Sequence, residues 1–272
     1  KHILKEALTD QVDSRNVYMH QIQHINTIDK NDPIAPAFER NYLDPVLKGF
    51  KIQATKGTDV LIDVTAFFGT NEKCISPIKN SNPIAKLLGN SDGIKGTFQP
   101  TASGIREVKA FEKNIEIKSL LSFMTTGIIE KPYSINVHRS FFVLPEDPMP
   151  IRLQDNRVGY FYDNKSIFSS DADRIEEKNY INRWRLEPKP EDRERYFNGE
   201  LVEPMRPIVF YVDTVFPEKW RQTIKEGIEV WNYAFETAGF KNAIVAKDYP
   251  KNDSIFDPDD MRYSCFRYVG TN

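Results

Sequence analysis

The sequence predicts an α+β protein, antiparallel and β-rich over most of its length, with a strand–helix–strand–strand unit at its end. Three observations carry this. Short alternating apolar runs separated by tight turns recur across residues 49–144, the mark of antiparallel strands. A nearly continuous apolar run then occupies residues 207–213, as in strands buried on both faces. Directly after it, Trp220, Ile224, Ile228, Trp231 and Phe235 recur at spacings of 4, 4, 3 and 4, which is one face of a helix.

The elements follow in order. The first third is polar and is punctuated by Asp32-Pro33, Asp44-Pro45, Ser76-Pro77 and Asn82-Pro83, all turn signals. Residues 50–54 alternate, 56–59 turn, and 60–64 follow; this is a hairpin pattern. A second hairpin runs through Ile105, Val108 and Phe111, turns at Lys113-Asn114, and returns over 115–120. A further strand is expected over 134–144, ended by Pro145. Residues 191–203 are charged, contain Asn198-Gly199 and run into Pro204, so a mobile linker is expected there. It divides a β-rich domain, 1–203, from a second part, 204–272. The helix is expected over 217–238, with Pro217 in its first turn and Glu218 near the positive end of its dipole. Trp220, Ile224, Ile228 and Trp231 are expected to be buried together against the 208–212 strand. Gly239 suits a left-handed C-cap, with Phe240 placed for the accompanying apolar contact. An apolar run at 243–246, an acidic turn at 256–260 and a strand over 262–269 complete the chain.

Composition bounds the function. Of 272 residues, 37 are basic and 39 acidic, and this near balance argues against a nucleic-acid footprint, which needs clustered basic surplus. No apolar run approaches the roughly 20 residues that cross a bilayer, so no membrane-spanning segment is expected. Lys1-His2-Ile3-Leu4-Lys5-Glu6 has no signal-peptide core, so any targeting segment is expected to be removed or to lie outside this sequence.

Few side chains carry chemistry by pattern. His20 and His24 stand four apart, the histidine spacing of H-E-x-x-H. Gln21 stands where the glutamate would be, so the general base is missing, and two surface histidines are the plainer reading. His138 shares a strand face with Asn136, Ser140 and Phe142; a histidine hydrogen-bonded to a neighbour explains it better than a ligand or base without orienting partners. Asp257, Asp259 and Asp260 lack the alternation and closing Glu of a calcium loop, and are expected to be exposed turn acids. Arg183, Trp184 and Arg185 could stack on a glycan or peptide, or form a charged edge. Cys74 is expected exposed and Cys265 half-buried, both as free thiols. No phosphate loop, no G-x-S-x-G and no Cys/His pair at catalytic spacing is present.

A set of blocks resembles a known family. They are Val137-His138-Arg139-Ser140, Leu144-Pro145-Glu146-Asp147-Pro148-Met149, residues 152–161, Arg183-Trp184-Arg185-Leu186-Glu187, residues 207–211, residues 231–244, and residues 256–264. They are similar to blocks of large bacterial zinc-dependent metalloproteases of the metzincin-like type, and cover at least the last half of the chain. The resemblance implies a β-rich accessory domain of unassigned function followed by the opening β-α-β-β of a zincin-like protease domain. It implies peptide or protein substrates, a Zn²⁺ in the parent protein and a secreted, periplasmic or envelope location. Family members carry H-E-x-x-H and a third histidine beyond the Arg-Tyr-Ser block, and this sequence ends at Asn272 before such a helix. None of His2, His20, His24 or His138 stands at a matching position. No residue here is therefore assigned a catalytic, cofactor-binding or metal-ligating role, and the chain alone is expected to bind no stoichiometric zinc and to hydrolyse no peptide. The alternatives are a peptide- or glycan-binding module and a pro-domain-like inhibitory or folding module. Self-association through an incompletely covered cleft is a further expectation.

Overall fold

The computed structural model describes residues 8–13, 15–21, 25–77, 96–125 and 129–270. The chain forms two compact units: Lys1–Lys109 with Glu116–Ser140 and Ile151–Asn182, and Ala110–Ile115 with Phe141–Pro150 and Arg183–Asn272. The architecture is α+β and strand-rich, with antiparallel sheets dominating the first unit.

In the first unit, β1 (Leu8–Val12), β2 (Asn16–Gln21), β4 (Val46–Lys56) and β5 (Asp59–Ile62) form an antiparallel sheet in the order β1-β2-β4-β5. Asp13 turns the first hairpin by accepting the N–H groups of Arg15 and Asn16, both at 2.6 Å, the local competition that makes Asp a turn former. Gly57, at φ +61°, turns the β4–β5 hairpin where the sequence places it. Val17 on β2 faces Phe50 on β4. Phe67 and Phe68 of α2 (Thr65–Gly69) close over them, with Phe50–Phe67 centroids 5.2 Å apart and near-perpendicular.

A second sheet joins β3 (Asn26–Ile28), β10 (Tyr162–Phe168) and β11 (Glu176–Ile181). Phe38 and Tyr42, on and just after α1 (Ala35–Asn41), pack on Phe168. A third is centred on β8 (Asn114–Met124), with β6 (Thr97–Phe98), β7 (Gly104–Ala110) and β9 (Pro132–Phe142) as its partners. Ile117, Leu121 and Phe123 alternate onto its buried face, and Phe123 packs between Phe98 and Tyr133. The turn expected at Asn82-Pro83 lies outside the described residues.

The second unit holds a parallel sheet, β13 (Ile244–Asp248), β12 (Ile208–Val212) and β14 (Ser264–Phe266), in that order. The apolar run 207–213 therefore becomes the central strand, as continuous apolar runs do. The strand expected over 262–269 is shorter, only Ser264–Phe266.

The helix packs on this sheet but departs from expectation in two ways. It is two helices, α4 (Glu218–Glu229) and α5 (Asn232–Thr237), because the Trp231 N–H bonds to Ile228 O three residues back and tightens the turn. Trp220 and Trp231 are 49% and 61% exposed, so they are not core residues. At about 100° per residue, the half-buried Arg221, Ile224, Lys225, Ile228, Asn232 and Phe235 define the buried stripe, and the two tryptophans lie on its flank. The stripe is rotated towards Arg221 and Lys225 because these reach Asp248 at the end of β13. The helix end is pinned as well: Asn232 exchanges two bonds with the main chain of Ile244, and Glu229 accepts the Ala246 N–H. Those bonds occupy the outer N–H groups of β13 and blunt that sheet edge.

The expected mobile linker at 191–203 is packed instead. A 3-10 turn at Pro190–Asp192 leads into α3 (Arg193–Phe197), and Arg195 pairs with Asp192 and Glu200. Val202, 1% exposed, joins Phe240 and Ala243 in a buried cluster. Arg195 pairs within the segment, Glu203 pairs with Lys189 just before it, and Val202 and Tyr196 anchor it on Phe240. Gly239 takes the left-handed C-cap, φ +89°, with the Phe240 N–H bonded to Phe235 O. A Cβ at Gly239 would come within 2.7 Å of the Tyr196 ring, which stacks on Phe240.

Candidate functional site

The strongest cluster of chemistry-bearing groups lies on the β8-centred sheet of the first unit. Two main-chain bonds, Thr125 N–H to Lys131 O and Val143 N–H to Lys113 O, hold β8 and β9 in one register. Glu116 then faces Ser140, and Ser122 faces Ser134, whose hydroxyls lie 2.7 Å apart. Glu116 is 3% exposed. Its Oε2 accepts the Ser140 hydroxyl at 2.5 Å and lies 2.6 Å from His138 Nε2. Beside it, Lys118 Nζ is 2.7 Å from a carboxylate oxygen of Glu107. Arg106, Glu107, Lys118, Ser119, Asn136 and His138 line, with Val137, an open recess of about 410 Å³.

This geometry sets what the site can do. Ser140 donates to Glu116 and not to His138, so no Ser–His pair is formed. The carboxylate fixes the His138 ring through one nitrogen, as outer carboxylates do for working histidines. A half-exposed, oriented imidazole beside the Lys118–Glu107 ion pair is suited to binding a polar ligand. The sequence reading of His138 as a strand histidine bonded to a neighbour agrees with the structure. Glu116 was missed, because alternation puts it on the face opposite Ile115 and Ile117, and its burial follows only from the pairing of β8 with β9. On the next position of β9, Arg139 donates to Phe68 O and Ile75 O, and burial pushes its guanidinium below its ordinary pKa.

The acidic turn of the second unit is not a set of exposed acids. Asp259 and Asp260 are 8% and 0% exposed. Arg262 grips Asp260 with Nε and a terminal nitrogen, at 2.6–3.1 Å. That fork holds the Asp260 carboxyl below the usual aspartate range and raises the guanidinium. Arg267 pairs with Asp259 and donates to Pro258 O. Each acid is buried with its own arginine a few residues on, which offsets part of the cost of taking its charge out of water. Near the strand ends, the apolar surroundings of Tyr249 and Cys265 push both above their ordinary values. Tyr211, Phe256 and Tyr263 fill the adjoining space with ring centroids 4.8–5.5 Å apart.

The remaining candidates are dispersed. His20 is buried on β2, with Nδ1 3.1 Å from Asp44 O; it is not a surface histidine, although alternation along β2 puts it on the face opposite Val17. His2 and His24 lie outside the described residues. Among the described residues no group of three or more His, Cys, Asp or Glu side chains is placed to share a metal ion. Cys74 is half-buried rather than exposed, its turn being capped by the Arg139 contact with Ile75; Cys265 is half-buried, and neither cysteine is in a disulfide. Arg183 donates to Pro150 O, and Arg185 clasps Asp147 and Glu187, so the two arginines tie Phe141–Pro150 into the unit. Trp184, half exposed, meets Phe210 edge-on. No helix among the described residues is long and apolar enough to cross a membrane.

Residues 8–189 match the family described as Domain of unknown function (DUF5117), and the chain belongs to that family. The match ends before β12, so the parallel sheet lies beyond it. No curated protein and no solved structure matches the chain.

Proposed function

We propose that this chain is the β-rich accessory region and the opening β-α-β-β of a zinc-dependent metallopeptidase. The observation that carries the reading is the unit β12–α4–β13–β14 with its arginine-locked turn. It falls on residues 207–211, 231–244 and 256–264, the blocks whose sequence is similar to the start of such protease domains. In this reading the zinc ligands and the catalytic glutamate are supplied by sequence after Asn272, and zinc would polarise the scissile carbonyl and activate water there. This chain supplies one wall of the cleft. The β13 edge is already occupied by Asn232 and Glu229, which leaves β14 as the edge facing an extended substrate. The accessory region, secreted or envelope-bound with its parent, orients or screens protein substrates through its polar recess.

The test is hydrolysis of an unfolded protein by the chain continued through its natural downstream sequence. Chelator-sensitive cleavage restored by zinc supports the reading; its absence in a folded, zinc-treated protein refutes it. A second reading, a binding module acting without proteolysis, is favoured by the recess at His138. Saturable binding of a peptide or glycan to the chain, lost in His138→Ala, with no hydrolysis by the continued protein, would select it.

A further inference from the structure

We propose that the tip of the β7–β8 hairpin is a strap that holds β14 in its sheet, with Asn114 as the fastening. The tip, Ala110–Ile115, belongs to the second unit although the strands that carry it continue into the first. Strand β14 needs such help. It pairs with β12 over three positions, Phe210 with Ser264 through Val212 with Phe266, whereas β13 pairs over five. Three residues at a sheet edge contribute little ladder.

The turn before β14 is held from outside its own sequence. Asn114, 3% exposed, donates its amide N–H to Asp259 O at 3.0 Å and accepts the Met261 N–H at 3.2 Å. One carboxamide thus bonds a donor and an acceptor of a buried turn, and buried main-chain bonds of this kind are costly to remove. Glu112 of the same tip takes the remaining terminal nitrogen of Arg262 at 3.0 Å, while the rest of that guanidinium grips Asp260. Arg267, directly after β14, returns to Pro258 and Asp259. The strand is fastened at its start through Arg262 and at its end through Arg267, and both fastenings meet at the turn that Asn114 holds. Only an amide fits this role, since a carboxylate has no donor for Asp259 O and an alanine has neither group.

The inference is independent of the peptidase reading. Amide hydrogen exchange on the full chain tests it. In Asn114→Ala, exchange at residues 259–266 should rise about tenfold, the loss of one to two buried bonds, with β12 at Val209–Tyr211 and the β2–β4 pairing unchanged. In Glu112→Gln, whose side chain is exposed and whose loss should not unfold the protein, the same amides should exchange about twofold to threefold faster. Unchanged exchange at 264–266 in either folded variant overturns the strap. So does an equal rise at 259–266, β12 and β2–β4, which would make Asn114 a general stabiliser. If Asn114→Ala does not fold, Glu112→Gln decides alone by the same criterion.

Discussion

Glu116 and Asp260 are carboxylates with almost no exposed surface, one in each unit, and they are held by opposite means. Asp260 has a permanent cation two residues away, gripped through several short bonds. Glu116 has a serine hydroxyl and an imidazole, and the imidazole is half exposed on a recess. An acid locked to arginine is committed to structure. An acid that orients a titratable, accessible ring is available for recognition. The difference separates a turn that must stay still from a face that can meet a ligand.

The first way to sharpen the comparison is a yardstick from the β8 core. Phe123→Ala, at 2% exposure, should cost about 3–5 kcal/mol in urea unfolding, the transfer and cavity cost of a buried ring. If either acid exceeds this, its burial is worth more than packing and the comparison is misdrawn.

Asp260→Asn comes next, with an expected loss of about 2–3 kcal/mol near neutral pH, because the Arg262 grip goes and a buried turn loses its charge partner. The folded carboxyl titrates below its ordinary value of 3.8, so the unfolded chain binds its proton more readily. The contribution is therefore full above the ordinary aspartate range and is lost as pH falls through 3.8 and below. Unfolding at pH 7 and pH 3 checks this: the gap between wild type and variant should narrow at pH 3, and a constant gap would contradict the ion-pair account.

Glu116→Gln should cost less, about 1–2 kcal/mol, since the amide keeps the shape and one acceptor but loses the charge that orients His138. The sharper readout is the ring: the His138 side-chain NMR signals should shift or broaden while the β8 amides keep theirs. An unmoved ring would show that Glu116 does not position it. Trp231→Gln should change stability by no more than about 0.5 kcal/mol, as exposed positions do; a loss above 1.5 kcal/mol would mean that the helix buries this ring after all.

Much of the fold was legible where apolar alternation meets a turn residue. The hairpins around Gly57 and Lys113, the central strand Ile208–Val212 and the Gly239 cap are decided by local chemistry. Strands β1–β3, β10 and β11 were not legible, because their residues are polar and lack the apolar alternation that marks a half-buried strand; β3 takes strand form by pairing with the distant β10. Spacing revealed that a helix follows β12, but periodicity alone could not separate a buried stripe from its aromatic flank at Trp220 and Trp231. Residues 191–203 mimic a linker because they are charged, and composition does not reveal that Arg195 pairs locally and that Val202 and Tyr196 pack on Phe240. Of the candidate site, His138 was visible as a strand histidine. Glu116, Arg106 and Lys118 join it only once the strand register is known.

The most direct test of the central claim, that this chain builds a wall of a zinc peptidase and holds none of its ligands, is zinc stoichiometry on the 272-residue chain. Protein washed with chelator, given zinc and then desalted should retain well under one equivalent, since three protein ligands are needed for a catalytic site. One tightly held equivalent, lost when His20 and His24 or His138 are changed to Ala, would contradict the account and place a metal centre within this chain.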